Sequence, residues 1–225
     1  MRDDLMAVDV DELRESVAGT ARELGRRALV LGTAGNVSAR AGDVVAVTAT
    51  GLVLADATIE DITLVGMDGV VCAGACEPTS ELGLHLGIYE ACDARAVVHA
   101  HSPAAVALSL VADELPPVHY AQLALGGRIP VIPFAPFGTA ELAETVVAAM
   151  RSRSASIMAH HGSVTTGHDL GAALANIELL EWLCGVYLSA ASVASPRALS
   201  DAQLAATLDE VVRRNYGTAA PVRRD

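Results

Sequence analysis

Residues 97–102 read VVHAHS, two β-branched residues running into His99 with His101 two positions later. On a strand, residues i and i+2 share a face, so both imidazoles can reach one metal ion. Upstream lies Glu81 in PTSELGLH, and downstream lies His161 in MAHHG. Three histidines and a carboxylate, spread over strand and helix ends, can assemble a zinc site of the catalytic rather than the structural kind. An isolated HxH pair in a strand reads first as two satisfied, partly buried histidines. The presence of Glu81 and His161 tips the reading toward a metal.

Around this stretch the chain alternates short strands and helices. Leu13, Val17, Ala21, Leu24 and Ala28 recur at helical spacing and predict a helix over residues 10–31, ended by Gly32. Residues 37–40 and 44–48 read as strands joined by an Ala41-Gly42-Asp43 hairpin signal, and residues 62–65 as another strand. Ser80 is the expected N-cap of a helix reaching about residue 92, with Glu81 in its first turn. After Ser102-Pro103 a helix is expected to residue 112, then an extended piece at 118–120 and a strand at 128–134. Thr139 caps a helix to 152, strands at 156–159 and 163–166 bracket the HHG turn, and Asp169 opens a long helix to 194. Ser200 caps a last helix to 214. Strands and helices are mixed rather than strictly alternating, which predicts an α/β fold with a central, partly antiparallel sheet and helices on both faces.

Composition narrows the chemistry. The 225 residues suit one domain over residues 1–225, with a core of Ala, Val, Leu and Ile, since aromatics are only 3%. The net charge of −12 argues against a nucleic-acid partner and requires a local device for any anionic substrate. All 15 basic residues are arginine, so a Schiff base on a lysine amine is impossible and carbonyl chemistry would need a metal as its electrophile. Cys72, Cys76, Cys92 and Cys184 read as ordinary thiols rather than a disulfide framework. The N-terminus is acidic where a signal peptide would be basic, and Glu178 and Glu181 interrupt the apolar stretch 171–194. A soluble, cytoplasmic protein with no membrane span is the expectation.

Three donor-rich points join the histidines. Gly32–Arg40, GTAGNVSAR, can turn backbone amides toward an anion, with Thr33 and Asn36 adding side-chain donors, although helix-to-strand turns use the same residues. Thr50-Gly51 follows the second strand, and Thr79-Ser80 opens the helix of Glu81, where an anion site and plain capping are both served. His160, His119 and His85 read as packing or supporting residues, and His168 as a surface residue.

Taken in order, GTAGNVSAR, VTATG (47–51), PTSE (78–81), VVHAHS, VHY (118–120), FGTAEL (137–142) and HHG (160–162) resemble the class II aldolase/adducin family over nearly the whole chain. Within it, Tyr120 and the doubled HHG are most similar to the fuculose-phosphate aldolase branch. The resemblance implies a three-layer α/β/α sandwich, commonly a homotetramer with sites between subunits. It implies zinc-dependent cleavage of a sugar 1-phosphate to dihydroxyacetone phosphate and an aldehyde, through an enediolate. One zinc per subunit would be held by His99, His101 and His161, with Glu81 as ligand of the resting metal and as acid/base. Asn36, Thr50, Gly51, Thr79 and Ser80 fall on phosphate-binding positions, and Thr33 joins them as a donor of the glycine loop. Tyr120 matches a tyrosine that protonates the departing aldehyde across a subunit interface, and Tyr216 a tyrosine of a closing C-terminal tail.

The chain departs from the family's pattern at Ala49, where proline is usual, at Thr79, where serine is usual, and in lacking a tyrosine soon after Gly51. Three alternatives share the pattern. A pentulose-phosphate 4-epimerase usually has Asp in place of Glu81 and nothing matching Tyr120. Aldolases or dehydratases for 5-deoxy- or methylthio-pentulose 1-phosphates share the metal and phosphate motifs, and a hydrophobic aldehyde pocket would favour them. Adducin-like scaffolds have lost the zinc histidines, all three of which are present here.

Overall fold

A computed structural model describes residues 10–214, so the expected tail residue Tyr216 lies outside the described residues. Its strands are β1 (Asn36–Ala41), β2 (Val44–Thr48), β3 (Ile62–Gly66), β4 (Val71–Ala73), β5 (Ala96–Ala100), β6 (Glu114–Leu115), β7 (Ile129–Ile132), β8 (Ala155–Met158) and β9 (Gly162–Gly167). They form one sheet in the order β4-β3-β2-β1-β5-β9-β8-β7-β6. Every neighbouring pair is antiparallel except β7 and β8. The helices are α1 (Val10–Arg26), α2 (Leu82–Ala91), α3 (Pro103–Ser109), α4 (Ala140–Met150), α5 (Leu170–Ala191) and α6 (Asp201–Arg214).

Side chains alternate across a strand, and the apolar residues of the sheet divide accordingly. Val44 and Ala46 of β2 join Val37, Ala39 and Val98 in a cluster with Val17 and Leu24 of α1 and Ile177 of α5. Val45 and Val47 point the other way, into a cluster with Val97, Val164, Ile88 of α2 and Val146 of α4. A third cluster seats Leu108 of α3 and Leu180 and Leu183 of α5 on Ile129 and Ile157. The result is the expected three-layer α/β/α sandwich, with α1, α3 and α5 on one face and α2 and α4 on the other. Filling these layers with Ala, Val and Leu lets helices sit close to the sheet and explains how a chain so poor in aromatics is packed.

Several boundaries differ from those the sequence predicts. α1 ends at Arg26 rather than residue 31, because Ala28 turns into the left-handed region (φ 55). Glu81, not Ser80, is the residue immediately before α2, which places its carboxylate beside the helix start rather than within the first turn. α3 stops at Ser109 instead of residue 112, and a 3₁₀ turn over residues 120–125 takes Tyr120 out of the extended piece expected at 118–120, in which His119 is extended. Thr139 and Asp169 cap α4 and α5 as predicted, accepting from the amides of Leu142 and Ala172. By length and composition α5 is the one described helix that could cross a membrane. Its Ala173, Ile177 and Leu180 are nevertheless buried within the sandwich, and its Glu178 pairs with Arg27.

Candidate active site

β5 is a central strand, and its end brings the site together. His99 pairs with Asn36 of β1 on one side and Val164 of β9 on the other. His101 lies just past β5 and His161 just before β9, so the two strand ends deliver both residues to the His99 side chain. The approach is close: a Cβ at Gly35, where φ is +86, would lie 2.7 Å from the His99 carbonyl oxygen, and one at Gly162 would strike the Ala100 carbonyl. Glycine is therefore required at both positions for the strands to meet.

The ring nitrogens of His99, His101 and His161 lie within 4.8 Å of one another, with His99 buried and the other two half-buried. His99 Nδ1 faces the Ser163 carbonyl oxygen at 2.9 Å and donates to it, which leaves Nε2 as the ligand nitrogen. That Nε2 faces His101 Nε2 at 2.9 Å and Glu81 Oε2 at 3.1 Å. Glu81 Oε1 stands 3.5 Å from His161 Nε2. Asn36 Nδ2 donates to Glu81 Oε2 at 2.9 Å.

Burial alone would raise the Glu81 pKa, but the charge of His99 and hydrogen bonds from His99 and Asn36 outweigh it, holding the carboxyl far below the usual carboxylate range. Burial, reinforced by the charge of His99, pushes His101 down to about 3 and His161 down to about 4. Both rings are thus neutral near pH 7, with lone pairs free to ligate. His99 moves the opposite way, because the Glu81 carboxylate overcomes the effect of burial.

Two features fit a divalent cation. Three imidazoles and one carboxylate are a donor set suited to zinc or a similar borderline metal. Glu81 Oε1 is buried yet has no hydrogen-bond partner among the described residues, an arrangement that is costly unless a positive charge sits nearby.

The cluster opens into a cavity of about 760 Å³ lined by Glu81, His101, His161, Thr33, Asn36, Thr50, Gly51, Thr79 and Ser80. All six donor residues singled out in the sequence therefore share one cavity. Backbone bonds explain the convergence: Thr50 N donates to Glu77 O and Thr79 N to Thr48 O, zipping the 48–51 and 77–80 segments side by side. Leu31, Phe134, Pro136 and Phe137 add an apolar portion that sequence reasoning missed, although Phe137 stands inside the FGTAEL motif. His160, read as a supporting residue, also lines the cavity, with φ at 58 and its amide donating to Ser109 Oγ. Tyr120 is not among the lining residues. It is 41% exposed, with its ring against His119, which in turn meets Trp182 of α5. His168 is an exposed residue beside Asp169, as expected.

The supporting residue of most consequence is His85. It is fully buried, with Nε2 2.5 Å from Asn36 Oδ1 and Nδ1 2.7 Å from Ser38 Oγ. Its place one turn after Glu81 was visible in the sequence, but its partners on β1 were not.

Comparison with known proteins agrees with this geometry. Residues 15–188 match the family described as Class II Aldolase and Adducin N-terminal domain. A 5-methylthioribulose-1-phosphate/5-deoxyribulose-1-phosphate aldolase of Rhodospirillum rubrum is 36% identical over 210 residues, covering 92% of this chain and 94% of that protein. An L-fuculose phosphate aldolase of Escherichia coli (strain K12) is 35% identical over 210 residues, covering 92% of this chain and 96% of that one. The solved structure of an L-fuculose 1-phosphate aldolase superposes with a TM-score of 0.85 at 27% identity, covering 89% of this chain and 96% of the other.

Proposed function

The chain belongs to the class II aldolase and adducin N-terminal domain family and is an aldolase, and from that premise we propose that it cleaves a ketose 1-phosphate to dihydroxyacetone phosphate and an aldehyde, with zinc held by His99, His101 and His161. One observation carries the reading: a buried carboxylate, Glu81, stands 3.1 Å from His99 and shares a cavity with His101, His161 and a set of hydroxyl and glycine donors. When bound, the cation supplies Lewis acidity to the substrate oxygens, replacing the lysine imine that this chain cannot make.

The chain's own groups perform the remaining tasks. Thr50, Gly51, Thr79 and Ser80, with Thr33 and Asn36, seat the phosphate dianion, a local provision that a molecule of net charge −12 requires. Glu81 has one oxygen fixed by Asn36 and one without a hydrogen-bond partner, and the latter takes and returns the substrate proton. Tyr120, at the surface of its own subunit, exchanges a proton with the aldehyde oxygen in the site of a neighbouring copy, taking it from the substrate hydroxyl on cleavage and returning it on condensation, while Glu81 hands the balancing proton to the carbon that the aldehyde leaves. Leu31, Phe134 and Phe137 favour an aldehyde that ends in a methyl or methylthio group. L-fuculose 1-phosphate and the 5-deoxy- and methylthio-pentulose 1-phosphates all meet that condition.

The test is a coupled assay on zinc-loaded protein that compares these substrates and follows dihydroxyacetone phosphate through NADH oxidation. Turnover that disappears with a chelator and with Glu81→Gln supports the reading, and the best substrate names the activity. Absence of dihydroxyacetone phosphate from every substrate, with metal bound, refutes it in favour of dehydration or epimerisation.

A further inference from the structure

Behind Glu81 a line of buried polar groups runs away from the cavity into the α2 side of the sheet. Asn36 Nδ2 donates to Glu81 Oε2, and Asn36 Oδ1 lies 2.5 Å from His85 Nε2. His85 Nδ1 lies 2.7 Å from Ser38 Oγ, which lies 2.7 Å from Tyr89 Oη. All five side chains are at most 6% exposed. The line supplies no apolar packing that a leucine would not supply better, so its retention in the core calls for another reason.

The direction of every bond follows from its end. A carboxylate only accepts, so Asn36 must turn its amide nitrogen to Glu81 and its carbonyl to His85. His85 Nε2 must then carry the proton. Burial keeps the ring neutral, its pKa lowered to about 3, so Nδ1 accepts and Ser38 donates. The Ser38 oxygen is left to accept from Tyr89. Were His85 protonated on Nδ1 instead, Asn36 would have to flip and set its carbonyl oxygen against the Glu81 carboxylate.

We propose that His85, held in one tautomer by Ser38 and Tyr89, is a positioning residue for Glu81: it locks the Asn36 amide and thereby anchors Oε2, leaving Oε1 as the working oxygen. This rests on the reading of Glu81 as metal neighbour and proton carrier. Supporting groups of this kind typically change metal affinity or activity by roughly ten- to a hundredfold when removed.

The experiment uses the full chain loaded with zinc. Two-bond ¹H–¹⁵N histidine spectra identify the His85 tautomer, competition with a chromophoric chelator gives zinc affinity, and steady-state kinetics separate kcat from KM. The expected result is an Nε2–H tautomer. His85→Leu weakens zinc binding and lowers kcat by roughly tenfold or more with little change in KM, while His85→Gln, which keeps a donor, restores much of both. An Nδ1–H tautomer, or a folded His85→Leu protein with zinc affinity and kcat unchanged, overturns the proposal. Should His85→Leu fail to fold, Tyr89→Phe decides by deleting one oxygen: a mixed His85 tautomer is expected, and an unaltered tautomer with unaltered zinc affinity refutes it. Tautomer and zinc affinity are read without substrate, so a wild-type protein that cleaves none of the ketose phosphates would strike the proposed reaction and leave these outcomes intact.

Discussion

His85 ties the active-site geometry to stability. Burial lowers its pKa to about 3, the Glu81 carboxylate opposes this in part, and the charge of His99 adds to it. An unfolded histidine takes up its proton near pH 6.5, whereas the folded one resists down to about 3. A depressed pKa contributes stability that is fully present above 6.5 and lost as the pH falls toward the folded value. Between pH 6.5 and 4.5 the metal-free wild type should therefore lose up to about 1 kcal/mol per pH unit more than His85→Gln in urea unfolding. Glu81 is common to both proteins, so the loss that accompanies protonation of its unfolded-state carboxyl around pH 4.5 cancels in the comparison. Parallel curves for the two proteins would mean that water reaches His85. A second expectation concerns Gly35, whose φ of +86 and proximity to the His99 carbonyl leave no room for a side chain. Gly35→Ala should cost about 1–3 kcal/mol in thermal unfolding and weaken zinc binding through the His99 backbone. Retention of full zinc affinity by a destabilised Gly35→Ala would detach the loop from the metal cluster. His99 and His101 were legible in the sequence as a candidate metal pair because HxH on a strand is local information. The group that His85 supports was not, since its partner Asn36 is 49 positions away and adjacency in space has no local signature.

At the scale of elements, α5 holds the cluster from behind. Glu181 reaches from the middle of that helix to accept from the amides of Ala104 and Ala105, at 2.7 and 2.9 Å. Those amides are orphan donors in the first turn of α3, which begins two residues after His101. One carboxylate thus caps α3 and fixes the segment that carries His101. Glu181→Ala should cost about 2–3 kcal/mol and weaken zinc binding. Glu178→Ala on the same helix removes only a half-exposed pair with Arg27 and should cost under about 1 kcal/mol. Urea unfolding of both variants, with a zinc competition assay, distinguishes them; equal losses would deny Glu181 its capping role. The sequence exposed these glutamates only as interruptions of an apolar stretch, because capping of one helix by another leaves no motif. Local caps fared better, with Thr139 and Asp169 found from their own helices. β4 and β6 escaped notice because strands of three and two residues are too short to display a period of two.

At the scale of the molecule, the cavity and Tyr120 belong to different parts of one chain. The cavity lining includes Glu81, His101 and His161 but not Tyr120, which stands 41% exposed beside His119 and near the exposed Trp182. A surface tyrosine cannot exchange a proton with a substrate in a cavity it does not line, but it can do so in that of an adjacent copy. If copies associate head to tail in a closed ring, each site takes its metal residues from one subunit and its tyrosine from the next. Two inactive variants then complement each other. His101→Ala lacks a metal ligand but still offers Tyr120, and Tyr120→Phe lacks the donor but keeps the metal residues. Co-expressed in equal amounts with random assembly, about a quarter of the interfaces should unite an intact metal set with an intact tyrosine. The hybrid preparation should therefore recover about a quarter of wild-type turnover, far above either parent, while the parents mixed after assembly recover none until their subunits exchange. Turnover of the hybrids equal to the mean of the two parents would place the proton donor within a single subunit. A size-exclusion profile at the mass of one chain, with full turnover, would exclude the shared site altogether.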